Sequence, residues 1–179
     1  MKSVKTFFEK RWRWPWLGVA GSIVVLSSSA IHPAGHVKQS QAQGVVVSNL
    51  AMPAEIRALI KRSCADCHSN QTVWPWYSYV APVSWLVEND VRHGRERMNL
   101  SRWPEYSFQQ QEKLLADIAS ALKNREMPLP QYALIHRDAR LSDAEIDIVY
   151  RWARLERRRM KAAVVANVSR PIVKGTFQQ

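Results

Sequence analysis

The sequence predicts an all-α fold, and three observations support this prediction. Several stretches after residue 53 repeat apolar side chains at intervals of three and four, which is the spacing of one helix face. Ser107 with Gln110 and Ser142 with Glu145 match the capping box that opens helices. No segment alternates apolar and polar residues for long, as a half-buried strand does. At 179 residues, the chain has room for one ordinary domain.

Residues 1–31 have the composition of a membrane-targeting segment. An apolar stretch at residues 14–31 follows a basic flank whose cations are Lys2, Lys5, Lys10, Arg11 and Arg13. The stretch is about 18 residues long, just enough to span a bilayer as a retained signal anchor, which is the preferred interpretation. Ser28 and Ala30 also suit a signal peptide that is cleaved after Ala30. Both interpretations place the remaining chain on the periplasmic side of a bacterial inner membrane, anchored in the first case and soluble in the second.

Residues 32–52 are predicted to form a tether, because they are largely polar or small and have no apolar period. The domain is predicted at residues 53–161. Its first helix opens at Pro53, a residue favoured in the first helical turn, and leads directly into Cys64. The apolar residues on one face of this helix are Ile56, Leu59 and Ile60.

An aromatic run at residues 73–79 is predicted to be a loop, because Pro75 forbids a regular helix there. A second helix is expected from Pro82 to about Arg95. The residues expected to share its apolar face are Val83, Val87 and Val91.

The third helix is the most clearly predicted. It opens at Ser107 and ends near Arg125, and its apolar stripe consists of Leu114, Leu115, Ile118, Ala119 and Leu122. A loop with two prolines follows at residues 127–130. The last helix opens at Ser142, with Ile146, Val149, Tyr150 and Ala153 facing inward. Residues 162–179 are expected to form a flexible tail.

The most informative motif is C-x-x-C-H, formed by Cys64, Cys67 and His68. This is the attachment motif for c-type haem. Two thiols at this spacing can form thioethers with the two vinyl groups of one porphyrin, and the adjacent imidazole can then bind the iron as proximal ligand. Cys64 and Cys67 are the only cysteines of the chain. The motif therefore predicts one covalently bound haem c in a small cytochrome c-like helical domain.

Other uses of the cysteine pair are weaker interpretations. A thioredoxin-type redox pair belongs in a βαβ pattern, which the sequence lacks. A structural zinc site needs four ligands, and only His93 and His136 could join the motif, neither with a partner at ligand spacing. A plain disulfide is the remaining alternative.

Met127 is the predicted distal ligand of the iron. It lies just past a helix in a proline-stiffened loop, and a methionine thioether favours reduced iron and raises the potential relative to a second histidine. His93 and Met98 are the other candidates, and Met127 could instead be a core filler.

The net charge of +11 is shared unevenly along the chain. Residues 1–31 hold five basic residues and one acidic residue, which leaves +7 for the rest. Many of the later cations lie in one run, formed by Arg151, Arg154, Arg157, Arg158, Arg159 and Lys161. Such a run is most often a solvated helix face, and the functional alternative is a docking surface for an acidic redox partner protein. Export argues against a nucleic-acid partner.

Residues 55–155 resemble the haem-binding domain family of small bacterial monohaem proteins. The resemblance rests on CADCHSN at 64–70, WPWY at 74–77, APVSW at 81–85 and GR at 94–95. The later matches are MP at 127–128, His136, LS at 141–142 and Glu145. It implies an exported, usually membrane-tethered haem c domain with Cys64, Cys67 and His68 at the haem and Met127 as distal ligand.

Three functions are compatible with such a domain. An electron carrier, the preferred interpretation, needs an iron with both axial positions filled. A haem-based sensor or gas-binding domain needs an open or displaceable sixth position. A peroxidase-like enzyme, which is not the expectation, needs a distal acid or base, for which only His93 or His136 is suitable.

Overall fold

The structure is a computed structural model that describes residues 3–31 and 52–168, with side chains described for residues 16–31 and 52–166. Over these ranges the chain is helical and has no strand, which confirms the all-α class. The α-helices are α1 Ser3–Ser29, α2 Ala54–Ser63, α3 Ala65–His68, α4 Val83–Arg97, α5 Phe108–Lys123, α6 Pro130–Ile135 and α7 Asp143–Val168. Short 3-10 turns occur at Trp76–Tyr79, Leu100–Glu105 and Arg137–Ala139.

The hydrophobic core lies between α2, α5 and α7, and α5 packs mainly against α7. Most of the predicted inner residues of these helices are buried, namely Ile56, Leu59, Ile60, Leu115, Ala119, Leu122, Ile146, Val149 and Ala153, whereas Tyr150 is only partly buried. Trp103 and Leu100 from the Leu100–Glu105 turn fill the same core. Leu114 and Ile118 of the predicted stripe are only partly buried, which leaves them available to line a cavity.

Both predicted capping boxes are present. The Ser107 hydroxyl accepts a hydrogen bond from the Gln110 amide while the Gln110 side chain accepts one from the Ser107 amide. Ser142 and Glu145 are paired in the same reciprocal way at the start of α7. These contacts satisfy backbone donors that the first helical turn leaves without a partner.

The predicted apolar face of α4 was wrong in part. Val91 is buried, but Val83 is 41% exposed, and the inner face is formed by Ser84, Glu88, Val91 and Gly94. The reason is that α4 packs against the short helix α3 instead of the hydrophobic core. Such a contact with backbone favours small and polar side chains, which apolar periodicity does not detect.

The predicted N-terminal membrane segment finds no support in the structure. Its apolar stretch does belong to a helix, α1, but no helix within the described residues is long and apolar enough to cross a membrane. Serines interrupt the stretch, and the hydroxyls of Ser22 and Ser29 donate hydrogen bonds to the carbonyls of Gly18 and Val25. The end of α1 contacts the domain, where the Trp85 indole N–H donates to the Ile31 carbonyl at 2.8 Å.

The predicted segment boundaries differ from the structure at three points. Met52, assigned to the tether, is buried in the core, while residues 32–51 lie outside the described residues. Helix α7 continues through residues 162–168, which were assigned to the tail, and residues 169–179 lie outside the described residues. The loop that was predicted after Met127 gives way to helix α6, with Pro130 in its first turn.

Candidate functional site

The C-x-x-C-H motif lies where α2 meets α3. The Cys64 amide donates to the Ile60 carbonyl as the last bond of α2, and the Cys64 carbonyl accepts from the His68 amide at 2.9 Å. This single turn brings the Cys64 and His68 side chains to the wall of the same cavity. Cys67 is half-buried at the contact between α3 and α4, and the two cysteines are not bonded to each other.

The cavity beside the motif has a volume of about 670 Å³, within the range of small-molecule and cofactor sites. Cys64, His68 and Met127 all line it, so three of the four predicted site residues converge on one space. Apolar side chains form much of the wall, among them Leu59, Ile60, Leu100, Leu114, Ile118 and Val149. Charged side chains also line it, namely Glu96, Arg97, Lys113, Asp117 and Glu126.

The imidazole of His68 is oriented as a metal ligand. Its Nδ1 lies 3.1 Å from the backbone carbonyl of Met98, which can only accept, so Nδ1 carries the proton. Nε2 then keeps its lone pair, as in metal sites where a histidine donates its other ring N–H to a carbonyl. Burial lowers the pKa of His68 and favours the neutral ring that a metal requires.

Neither cysteine resembles a redox-active thiol. Burial and the neighbouring Cys67 raise the pKa of Cys64 to about 12. Burial, Asp66 and Asp90 raise the pKa of Cys67 to about 11. Reactive C-x-x-C cysteines instead have lowered pKa values. Within the described residues, no group of three or more His, Cys, Asp or Glu side chains could hold a metal ion.

The segment after His68 is held by a hydrogen-bond network that the sequence predicted only in part. The Asn70 side-chain carbonyl accepts from the Asn99 amide group at 2.8 Å, and the Asn70 N–H donates to the Ser101 hydroxyl at 3.0 Å. The Asn99 N–H donates to the Tyr106 hydroxyl at 2.9 Å. Because Asn99 follows Met98, these bonds fix the carbonyl that orients His68. Of the residues in this network, only Asn70 belongs to a segment that the sequence analysis singled out, the SN that follows the motif.

Gly94 lets α4 approach the backbone of α3. A Cβ atom at this position would lie 2.6 Å from the Cys67 carbonyl oxygen, which is closer than such contacts occur. The packing of the motif therefore requires glycine at residue 94.

We expect Gly94→Ala to displace α3 from α4. Overpacking of this kind costs about 1–3 kcal/mol in the free energy of unfolding. It would also shift Cys67 and His68 away from the positions that they occupy in α3. The variant should melt at a lower temperature and retain less haem than the parent, measured by thermal unfolding and absorbance. Gly21→Ala is the matched control, because nothing lies within 4 Å of the position that its added methyl group would take. Equal melting temperatures and haem contents of all three proteins would contradict this role of Gly94.

The loop that carries Met127 leaves α5 through a defined turn. The Glu126 amide donates to the Ala121 carbonyl at 2.9 Å and the Arg125 amide donates to the Leu122 carbonyl at 3.1 Å. Arg125 has φ 56°, the left-handed conformation that such a helix end requires. Met127 follows this turn as a half-buried residue of the cavity wall.

Of the other side chains that could bind the iron, the two histidines lie outside the cavity. His93 is exposed on α4 beside the Arg92 guanidinium, and Nε2 of His136 is hydrogen-bonded to the Tyr77 hydroxyl. Neither histidine lines the cavity. Met98 does line it, but the Met98 carbonyl is the group bonded to Nδ1 of His68.

Comparison with known proteins identifies the class to which this fold and site belong. Residues 23–155 match the family described as the haem-binding domain. The chain belongs to the haem-binding domain family, and it therefore binds haem. No curated protein and no solved structure matches the chain.

Proposed function

We propose that this protein is an exported monohaem c-type cytochrome that carries electrons, with haem bound covalently by Cys64 and Cys67. His68 and Met127 would be the axial ligands of the iron. The observation that carries this proposal is the convergence of Cys64, His68 and Met127 on one cavity of cofactor size. Haem would supply an iron that gains and loses one electron; the residues of the chain attach it, orient it and exclude water.

The position of Met98 favours Met127 as distal ligand. Nδ1 of an iron-bound imidazole points away from the iron, and the Met98 carbonyl is bonded to Nδ1 of His68. The backbone of Met98 therefore lies beside His68, where it would hold the proximal ligand, and Met98 is the less suitable residue to supply the distal one. Met127 reaches the cavity from the separate loop after α5 and has no such restriction.

Filling both axial positions suits an electron carrier. An iron that keeps its two ligands in both oxidation states changes little in structure when an electron moves. The methionine thioether favours Fe(II) and raises the potential. The apolar wall of the cavity, from Leu114 and Ile118 among others, lowers the local polarity and limits access of solvent.

Two cations of the cavity wall are suited to the haem propionates. Arg97 and Lys113 line the cavity, and charged donors form stronger hydrogen bonds with carboxylates than neutral donors do. They would pair with the propionates when haem is bound, and Lys113 would then exchange its salt bridge with Asp117 for one with a propionate.

An enzymatic role finds less support than electron transfer. A peroxidase-like reaction needs an acid or base beside an open iron. His93 and His136, the two histidines expected to suit this task, do not line the cavity, whereas the carboxylates of Glu96, Asp117 and Glu126 do. We propose a non-enzymatic carrier because Met127 would fill the position at which an enzyme needs an open iron.

Location and partners are also part of this proposal. The basic flank and the apolar stretch of residues 1–31 support export to the periplasmic side of the inner membrane of a bacterium. On α7, Arg151, Arg154 and Arg158 are exposed. Exposed cations of this kind attract an acidic redox partner protein through long-range electrostatics.

Exposure of the reduced wild-type protein to carbon monoxide tests the proposed function. We expect an unchanged absorption spectrum at carbon monoxide concentrations that fully convert Met127→Ala, because Met127 would occupy the position where the gas binds. A rapid shift to the spectrum of a carbon monoxide adduct would contradict a closed iron and would favour a haem-based sensor or gas-binding domain.

A further inference from the structure

A polar contact outside the cavity joins the haem motif to the segment after Met127. The Tyr132 hydroxyl on α6 donates to Oδ2 of Asp66 at 2.7 Å, and Asp66 lies between the two cysteines. Oδ1 of the same carboxylate accepts from the Val73 amide at 3.1 Å. Burial and the bond to Asp66 raise the pKa of Tyr132, so the hydroxyl stays protonated as the donor.

A second contact, made by the ring and not by the hydroxyl, also holds Tyr132 in place. His136 stacks on it, with ring centroids 4.3 Å apart and the planes 19° from parallel. Nε2 of His136 is hydrogen-bonded to the Tyr77 hydroxyl of the Trp76–Tyr79 turn. Tyr132 therefore reaches Asp66 from a fixed position.

Helix α6 depends on polar contacts of this kind because it has no buried residue. Leu134 is 68% exposed and Ile135 is 60% exposed, so hydrophobic burial contributes little to its attachment. A second polar contact holds the helix. The Arg140 guanidinium donates to the Ala133 carbonyl at 2.7 Å. Of these contacts, the bond from Tyr132 is the one that reaches the C-x-x-C-H motif.

The position of α6 is transmitted directly to Met127. The helix begins at Pro130, and its first turn is closed by the bond between the Leu129 carbonyl and the Ala133 amide. Only Pro128 and Leu129 lie between Met127 and the helix. Any displacement of α6 would therefore also displace Met127, because only two residues separate them.

We infer that Tyr132 is a positioning residue for the distal ligand, because its bond to Asp66 ties the segment that carries Met127 to the helix that carries His68. This inference rests on the proposed function, since it assumes that Met127 binds the iron. The C-x-x-C-H motif would then determine both ligands of the haem iron. It supplies His68 directly, and its spacer residue Asp66 positions Met127 through Tyr132.

The test is Tyr132→Phe in the full-length haem-loaded protein, which removes one hydroxyl and keeps the ring that stacks on His136. A hydrogen bond to a carboxylate is strong enough for its loss to raise the population of open iron about tenfold. We expect carbon monoxide to bind the reduced variant about tenfold more tightly than the parent, with a weaker sulfur–iron absorption band in the oxidised form. Amide hydrogen exchange should accelerate in residues 129–136.

Asp66 provides the partner variants. Asp66→Ala should produce at least the effects of Tyr132→Phe, because it also removes the acceptor of the Val73 amide. Adding Tyr132→Phe to Asp66→Ala should change little further, because the bond between the two residues is already lost. Asp66→Asn keeps an acceptor oxygen and should restore much of the parent behaviour. Tyr150→Phe is the matched control, since the Tyr150 hydroxyl accepts from Arg154 on α7.

The outcomes separate this inference from the proposed function. If Met127→Ala opens the iron while Tyr132→Phe binds carbon monoxide as weakly as the parent, the positioning role is wrong and the ligand assignment stands. Fully additive effects of the variants at residues 66 and 132 would likewise contradict the positioning role. If Met127→Ala itself leaves carbon monoxide binding unchanged, the ligand assignment is wrong and the inference falls with it. Should Tyr132→Phe fail to fold, the comparison of Asp66→Asn with Asp66→Ala decides the question alone.

Discussion

Met127→Ala is expected to open the iron to external ligands. Alanine has no atom that can bind a metal, so the distal position becomes empty or takes a weakly bound water. The reduced variant should bind carbon monoxide readily, and the oxidised variant should lose its sulfur–iron absorption band. Its potential should fall by on the order of 0.1 V, because the thioether no longer favours Fe(II). Absorption spectra and a redox titration measure all three effects.

Met98→Ala is the control, because Met98 lines the same cavity and its truncation removes a thioether of the same size. Its backbone carbonyl remains and can still accept from Nδ1 of His68. We expect this variant to keep a six-coordinate iron, the sulfur–iron band and a potential close to that of the parent. Loss of the band in the Met98 variant, with the Met127 variant unaffected, would move the ligand assignment to Met98.

The double variant Cys64→Ala with Cys67→Ala is expected to lose covalent haem completely. Without thiols, no thioether can form, and haem held by His68 alone is released when the chain is denatured. Haem staining on a denaturing gel should therefore be absent. The haem-free chain should also unfold at a lower temperature, because a group that binds only the folded state stabilises it and because the cofactor fills a cavity of about 670 Å³.

Each single cysteine variant serves as a control for the double variant. One remaining thiol can still form one thioether, so staining should weaken without disappearing. Persistent staining in the double variant would contradict attachment through the C-x-x-C-H motif and would require another covalent link to the chain.

The helices were predictable where their function is to bury an apolar face. α5 has its capping box and its inner residues Leu115, Ala119 and Leu122 as expected, because local sequence determines both features. α4 was less predictable, since its inner face meets the backbone of α3 at Gly94. A small residue at a backbone contact leaves no periodic signal.

The residues of the site also differ in how well the sequence predicts them. Cys64, Cys67 and His68 are nearly contiguous, so their spacing predicts their chemistry, whereas the loop with Met127 becomes a neighbour only in the folded chain. The bond between Asp66 and Tyr132 joins residues far apart in sequence, and no local pattern announces it. The N-terminal membrane segment stays a prediction, since no helix within the described residues is long and apolar enough to cross a membrane and serines interrupt the apolar stretch of α1.

The mass of the denatured wild-type protein tests covalent attachment most directly. After haem loading in a host that assembles c-type cytochromes, we expect the mass of the chain increased by that of one haem. Peptide mapping should place the addition on the fragment that contains Cys64 and Cys67. An unmodified chain, with all haem released into the organic phase, would contradict a c-type haem protein.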